Sequence, residues 1–284
     1  MRTAAVLSLK GGVGKTSVVL GLAGAALQRK IRTLVVDLDP QGNCTAALDP
    51  DATKSTLADV LVDPELSVLR SAIAPSGWGE GLDVLVSSEE AEAHNRPAAD
   101  ATQLRWLDQA LSTLDDTADV QNDSPYRLVL LDCPPSLGLL TRSALVAADR
   151  ALLVTEPTIY AVAGVQRAFE AVQYEREHNP DLQTLGVVVN RVRVRSSEHN
   201  YRINELREIF GPLVLPTVLP DRSAVQQAQG AGQPIQRWST PGAREIAVAF
   251  DVLLARMLRT SQLRRRTGAQ RQPATTATDH PTDA

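Results

Sequence analysis

The stretch Lys10-Gly11-Gly12-Val13-Gly14-Lys15-Thr16 constrains this chain more than any other part of it. It stands between an apolar run, residues 3–9 (TAAVLSL), and a helical pattern from Lys15 with Val18, Val19, Leu22, Ala26 and Leu27 on one face. A glycine-rich turn from strand to helix lets backbone N–H groups point inward at an anion, and the helix N-terminus adds partial positive charge at the same spot. Lys15 is then set to reach β- and γ-phosphates, and the Thr16 hydroxyl to ligate Mg²⁺. The motif departs from the plain GxxxxGK[ST] form in one respect. Leu9 occupies the first glycine position, and a second lysine, Lys10, precedes the glycines. An extra cation on a loop already served by Lys15 is available to a second, neighbouring nucleotide.

Ligands of parallel sheets sit at the carboxyl ends of the strands. Two such ends carry aspartates here: Asp37 and Asp39 in VVDLDPQGN, and Asp132 in LVLLDCPPS. Thr16, Asp37 and Asp132 together make a Mg²⁺ shell of hard oxygen ligands, partly through water. Asp39 lies beyond its strand and before a turn, which makes it the candidate to orient a nucleophilic water in phosphoryl transfer. Cys133 adjoins Asp132, but no His or second Cys stands at metal spacing, so it reads as a structural thiol.

Strand and helix patterns alternate along almost the whole chain. Strands are expected at 32–39, 82–86, 126–132, 151–155 and 185–190, and helices at 55–62, 100–115, 160–178, 198–210, 222–229 and 241–259. Residues 75–81 (PSGWGEG) read as a turn cluster and 116–125 as a polar surface loop. Aromatics make up 4% of the chain, so its core must be aliphatic, which suits a parallel sheet covered by helices on both faces. The expected fold is therefore α/β: a single doubly wound, mainly parallel sheet flanked by helices, spanning residues 1–259. From residue 260 the sequence turns polar and aperiodic, and residues 260–284 read as a disordered polar and basic tail. The two cysteines form no disulfide framework and no apolar run is long enough for a signal peptide core or a membrane span, so a cytoplasmic location is expected.

The net charge of −4 hides an asymmetry. Residues 1–190 hold 15 Lys and Arg against 25 Asp and Glu, whereas residues 191–271 hold 14 Arg against 6 acids. An arginine-rich later part points to a polyanionic partner.

Taken together, KGGVGKT, VVDLDPQGN and LLDCPPSLG, in that order, resemble the ParA/Soj/MinD family of deviant-Walker P-loop ATPases, and are most similar to its ParA-type partition members. VVVN at 187–190 and LPDRSAVQQAQGAGQPI further on extend the likeness over roughly residues 3–258. The resemblance implies an ATP-dependent homodimer in which Lys10 reaches the partner subunit's phosphates. It implies that Gly11, Gly12, Val13, Gly14, Lys15, Thr16 and Ser17 hold ATP, that Asn190 and the loop near Pro220 meet the adenine, and that Asp39 positions water. It further implies binding of the ATP dimer to DNA without sequence preference, at the nucleoid, and a ParB-like partner that stimulates slow hydrolysis. The DNA reading rests on Arg191, Arg193, Arg195 and Arg222, of which Arg193, Arg195 and Arg222 are the candidate contacts, with Arg202 and Arg207 nearby. Arg195 falls where family members carry a DNA-contacting arginine; a second such arginine is replaced by Ala224. Ser8-Leu9 also replace the Asn-Gln usual before the signature lysine, and Cys44 stands where a small apolar residue is usual. With no extra N-terminal domain expected, site-specific operator binding is not. The rival within the family is a MinD-like switch on a membrane surface, which requires an amphipathic anchor. Ile246, Phe250, Leu253, Leu254 and Met257 form an apolar stripe on the last helix, read here as a packing face rather than an anchor.

Overall fold

Apolar runs too short for a stable helix and bounded by turns form strands, and seven of them join in one sheet. The computed structural model describes residues 1–96, 101–116 and 126–259; the polar stretch from 117 to 125 and the tail from 260 onward lie outside them. The strands are β1 (Arg2–Leu7), β2 (Thr33–Asp37), β3 (Ile73–Pro75), β4 (Leu82–Leu85), β5 (Leu128–Asp132), β6 (Arg150–Thr155) and β7 (Gln183–Val189). Their order across the sheet is β3-β4-β2-β5-β1-β6-β7, and every pairing is parallel except that of β3 with β4. β1 thus lies between β5 and β6. The chain leaves it towards β2 on one side and later crosses to β6 on the other, which opens a crevice at the carboxyl end of β1.

The helices are α1 (Lys15–Gln28), α2 (Asn43–Leu48), α3 (Leu57–Val62), α4 (Leu66–Ser71), α5 (Ala101–Leu104), α6 (Trp106–Asp116), α7 (Leu139–Ala147), α8 (Ala161–Glu175), α9 (Ser197–Phe210), α10 (Ser223–Gly230) and α11 (Pro241–Arg259). They cover both faces of the sheet. Alternate residues of β1 divide between two cores: Ala5 and Leu7 pack with α3, α6, α7, α8 and α9, while Ala4 and Val6 pack with α1, α10 and α11. A strand buried on both faces reads as a continuous apolar run, as β1, β2 and β5 do.

Three differences from the sequence expectation have physical reasons. The turn cluster at 75–81 is entered by β3, a three-residue antiparallel edge strand that ends at Pro75, where a missing N–H does no harm. The single helix expected over 100–115 is two, α5 and α6, separated at Arg105. The helix α7 was not signalled at all. Every residue in it but Arg142 is buried, so it lacks the polar face on which helical periodicity is read. The stripe on α11 behaves as a packing face: Ile246, Phe250, Leu253, Leu254 and Met257 are all buried in the core beside α1. The tip of the Phe250 ring rests against Gly21 of α1, where a Cβ would overlap it.

Candidate functional site

The glycine loop emerges from the carboxyl end of β1 and closes directly onto α1. Gly12 (φ 79°) and Gly14 (φ 84°) adopt left-handed backbone, which only glycine takes up at no steric cost. Gly14 is also the residue before α1, and a Cβ on it would lie 2.5 Å from Asn190 Nδ2. Asn190, at the end of β7, donates from that nitrogen to the Val13 carbonyl at 2.9 Å and so fixes the back of the loop. By contrast, nothing lies within 4 Å of a Cβ built on Gly11 or Gly12, so that face of the loop is open. The first turn of α1 has neither a side-chain cap nor an acidic residue. Its N–H groups therefore point at the open face with the helix dipole behind them, the arrangement that binds phosphate. Lys15 is buried beside this turn.

Asp37 and Asp132 are partners in register on neighbouring strands β2 and β5, and both are buried. Their hydrogen bonding is opposite. Asp37 Oδ2 accepts the Thr45 N–H at 2.7 Å and the Thr45 hydroxyl at 2.8 Å, and its Oδ1 accepts the Asp39 N–H at 3.2 Å. Among the described residues neither oxygen of Asp132 has a partner of hydrogen-bonding geometry. Burial, and then the charge of Asp37, pushes the Asp132 carboxyl well above its ordinary range, while the Thr16 hydroxyl and the Lys15 ammonium oppose the rise. Burial likewise pushes Asp37 up to about 6, against the hydrogen bonds from Thr45 and Asp39. A buried carboxylate with two unpartnered oxygens, beside a lysine and a helix N-terminus, fits a site completed by a hard cation and phosphate oxygens. Among the described residues no cluster of three His, Cys, Asp or Glu could hold a metal alone, as expected where Mg²⁺ takes one or two carboxylates together with substrate phosphates.

Asp39 stands at the mouth of the crevice, partly exposed, with Oδ1 accepting the Gln41 N–H at 3.1 Å. Lys10 Nζ lies 3.5 Å from the Thr158 hydroxyl and 5.8 Å from the centroid of the Tyr160 ring, both on the loop after β6. Ser17 Oγ accepts a hydrogen bond from Gln229 of α10 at 3.2 Å. Beside that loop, Ser17, Asn190, Pro220, Arg222, Gln229 and Phe250 line a cavity of about 180 Å³. Asn190 and Pro220, thirty residues apart in sequence, are brought together because Val192 bridges to Pro220 as a parallel strand pair.

The arginines expected on a polyanion surface are placed unevenly. Arg193 pairs with Asp221 at 2.9 Å, and Arg222 makes a two-pronged pair with Glu245 of α11 at 2.6 and 2.9 Å. Arg202 is held by Glu198 and Glu205. Arg195 is exposed, and no ion-pair partner engages it among the described residues. Arg191 belongs instead to the glycine loop: its Nη1 lies 2.7 Å from both the Gly12 carbonyl and Glu156. Thr45, Thr158 and Glu156 also join the site without any signal in the sequence. Arg191, expected among the DNA-facing arginines, is carried to the loop by its place directly after Asn190.

Residues 1–184 match the family described as "AAA domain". The chromosome partitioning protein ParA of Caulobacter vibrioides (strain NA1000 / CB15N) is 32% identical over 239 residues, spanning 83% of this chain and 86% of that protein. The sporulation initiation inhibitor protein Soj of Bacillus subtilis (strain 168) is 30% identical over 256 residues, spanning 87% and 95%. Among solved structures, cobyrinic acid a,c-diamide synthase from Mycobacterium smegmatis with bound ADP and magnesium is 25% identical, with a TM-score of 0.71 over 90% of this chain and 93% of that one. With a glycine loop preceded by its own lysine, paired strand-end aspartates and relatives of this kind, the chain belongs to the ParA/MinD family of P-loop ATPases.

Proposed function

We propose that this ATPase is a dimerisation switch: Mg–ATP closes two copies face to face, and hydrolysis to ADP and phosphate releases them. Gly11 to Ser17 surround the triphosphate, with Lys15 at the β- and γ-phosphates, and the cavity beside Asn190 and Pro220 takes the adenine. Bound Mg²⁺ supplies charge neutralisation on the phosphates. Thr16 would hold it directly and Asp132 through water, while Asp37, expected in the same shell, has its oxygens taken up by Thr45 and Asp39 and would stand behind them. Asp39, at the crevice mouth, orients the attacking water. One observation carries the reading. Lys10 projects from the glycine loop beside the Thr158 hydroxyl and the Tyr160 ring, and among the described residues no carboxylate pairs with it. A lysine so placed is available to the triphosphate of a facing copy.

The same reading makes the ATP dimer a non-specific DNA binder, working on the nucleoid with a ParB-like activator, with residues 1–259 as the ATPase domain. Arg195 is the strongest single candidate contact. Arg193 and Arg222 would have to exchange Asp221 and Glu245 for phosphates. No helix among the described residues is long and apolar enough to cross a membrane, and the α11 stripe is buried, so the membrane-surface alternative finds no anchor there.

The test is DNA retention by the Asp39→Ala protein, with ATP against ADP, across a salt series and beside anionic liposomes. Retention should require ATP and fall with salt, with a log–log slope of roughly −0.9 per neutralised phosphate. Arg195→Ala should weaken it, and Lys15→Ala should abolish ATP binding itself. Equal retention with ADP, or sedimentation with liposomes instead of DNA, would overturn the reading.

A further inference from the structure

Asp39 sits on a loop, and loops are poor platforms for a group that must aim a water molecule to within a fraction of an ångström. Two side chains outside the glycine loop and the aspartate set remove that freedom. Thr45, in α2, donates its hydroxyl to Asp37 Oδ2 at 2.8 Å and its backbone N–H to the same oxygen at 2.7 Å. The Thr45 hydroxyl oxygen in turn accepts the backbone N–H of Ser87, just beyond β4, at 3.1 Å. Ser87 then donates its own hydroxyl to the backbone carbonyl of Asp39 at 2.8 Å. That carbonyl also accepts the Gly42 N–H at 2.9 Å, and the Asp39 N–H closes the circuit on Asp37 Oδ1 at 3.2 Å.

The circuit ties the Asp39 peptide, on both its N–H and C=O sides, to the ends of two neighbouring strands. Ser87 is 8% exposed and Asp37 is fully buried, so water does not readily replace these bonds. Their arrangement leaves Asp39 Oδ2 as the oxygen of that residue with no partner among the described residues. A buried clasp that holds the backbone and leaves one carboxylate oxygen available does what a positioning device requires. We propose that Thr45 and Ser87 are positioning residues for hydrolysis, acting through Asp39 by fixing its peptide. This rests on the role given above to Asp39.

The experiment is single-turnover hydrolysis of Mg–ATP together with ATP affinity, in the wild type, Asp39→Ala, Thr45→Val, Thr45→Ser, Ser87→Ala and the Asp39→Ala/Thr45→Val double variant. Thermal melts confirm that each is folded. Thr45→Val should slow hydrolysis about ten- to a hundredfold with ATP affinity held within about twofold, since misplacement of a catalytic group by about 1 Å costs up to a hundredfold. Thr45→Ser, which restores the hydroxyl, should recover most of the rate, and Ser87→Ala should lose less than Thr45→Val. In the double variant the Thr45 change should add nothing to the loss from Asp39→Ala, because both act on one group. Hydrolysis in Thr45→Val within twofold of wild type would overturn the proposal, as would a parallel fall in ATP affinity or a further loss in the double variant. Normal turnover in Asp39→Ala would instead refute the role of Asp39, and a slow Thr45→Val beside it would show that the clasp serves some other group.

Discussion

The ends of β2 and β5 carry the same residue, on the same row of the sheet, at the same burial, yet they do opposite things. Asp37 accepts three hydrogen bonds from its own chain and anchors the loop that bears Asp39. Asp132, one strand away, accepts none of full hydrogen-bonding geometry among the described residues, the Thr16 hydroxyl being a donor that acts on it. The difference separates scaffold from binding site more sharply than residue type or burial does. A satisfied carboxylate stabilises the protein that surrounds it, whereas an unsatisfied one is tolerated at a cost in stability because something else completes it.

The largest effect expected from this contrast is on chemistry. Asp132→Asn should lower Mg-dependent hydrolysis about a hundredfold, as loss of an outer partner of a metal does. The nucleotide-free protein should at the same time melt higher, since a carboxyl whose ionisation the fold opposes has been removed. A lower melting point would mean that Asp132 is part of the scaffold after all.

Next in size, Asp37→Ala should destabilise the nucleotide-free protein by about 2 kcal/mol, because it orphans the buried donors on Thr45 and Asp39. Denaturant unfolding measures this directly. If Asp37→Ala and Asp132→Asn shift stability in the same direction, the contrast fails.

The smallest effect is on pH dependence. Asp37 is pushed up to about 6 and Asp132 is raised as well. A carboxyl whose pKa is higher in the folded than in the unfolded chain takes its proton first in the native state. Its contribution is therefore fully present below the unfolded value near 4 and is lost as pH rises through the folded one. Melting of the metal-free, nucleotide-free protein should accordingly shift upward as pH falls from about 7.5 to about 5, and the shift should shrink in Asp132→Asn. A flat profile in the wild type would show that neither carboxyl is perturbed.

The sheet and the glycine loop were legible in the sequence because both rest on local signals: apolar runs such as LVLLD and a spacing of glycines that only a phosphate turn requires. What could not be read depends on contacts between distant segments. Nothing in VVDLD or LVLLD says which aspartate will meet a hydroxyl, since that hydroxyl arrives from Thr45 and is itself set by Ser87. The same holds for Arg193 and Arg222, since no local pattern announces that they pair with Asp221 and Glu245. Asn190 and Pro220 came from family likeness rather than spacing, and the fold puts them on one cavity through a strand bridge that no periodicity announces. The helix α7 stayed hidden for the converse reason, being buried all round.

The contact of Phe250 with Gly21 has a mechanical outcome. Gly21 lies midway along the helix whose first turn faces the phosphates, and the ring tip fills the notch left by its missing side chain. Such a tooth in a notch resists sliding of one helix along the other, so any tilt that nucleotide imposes on α1 must be carried by α11 as well. The far end of α11, at Arg259, would then move with the state of the active centre, although no residue there touches it.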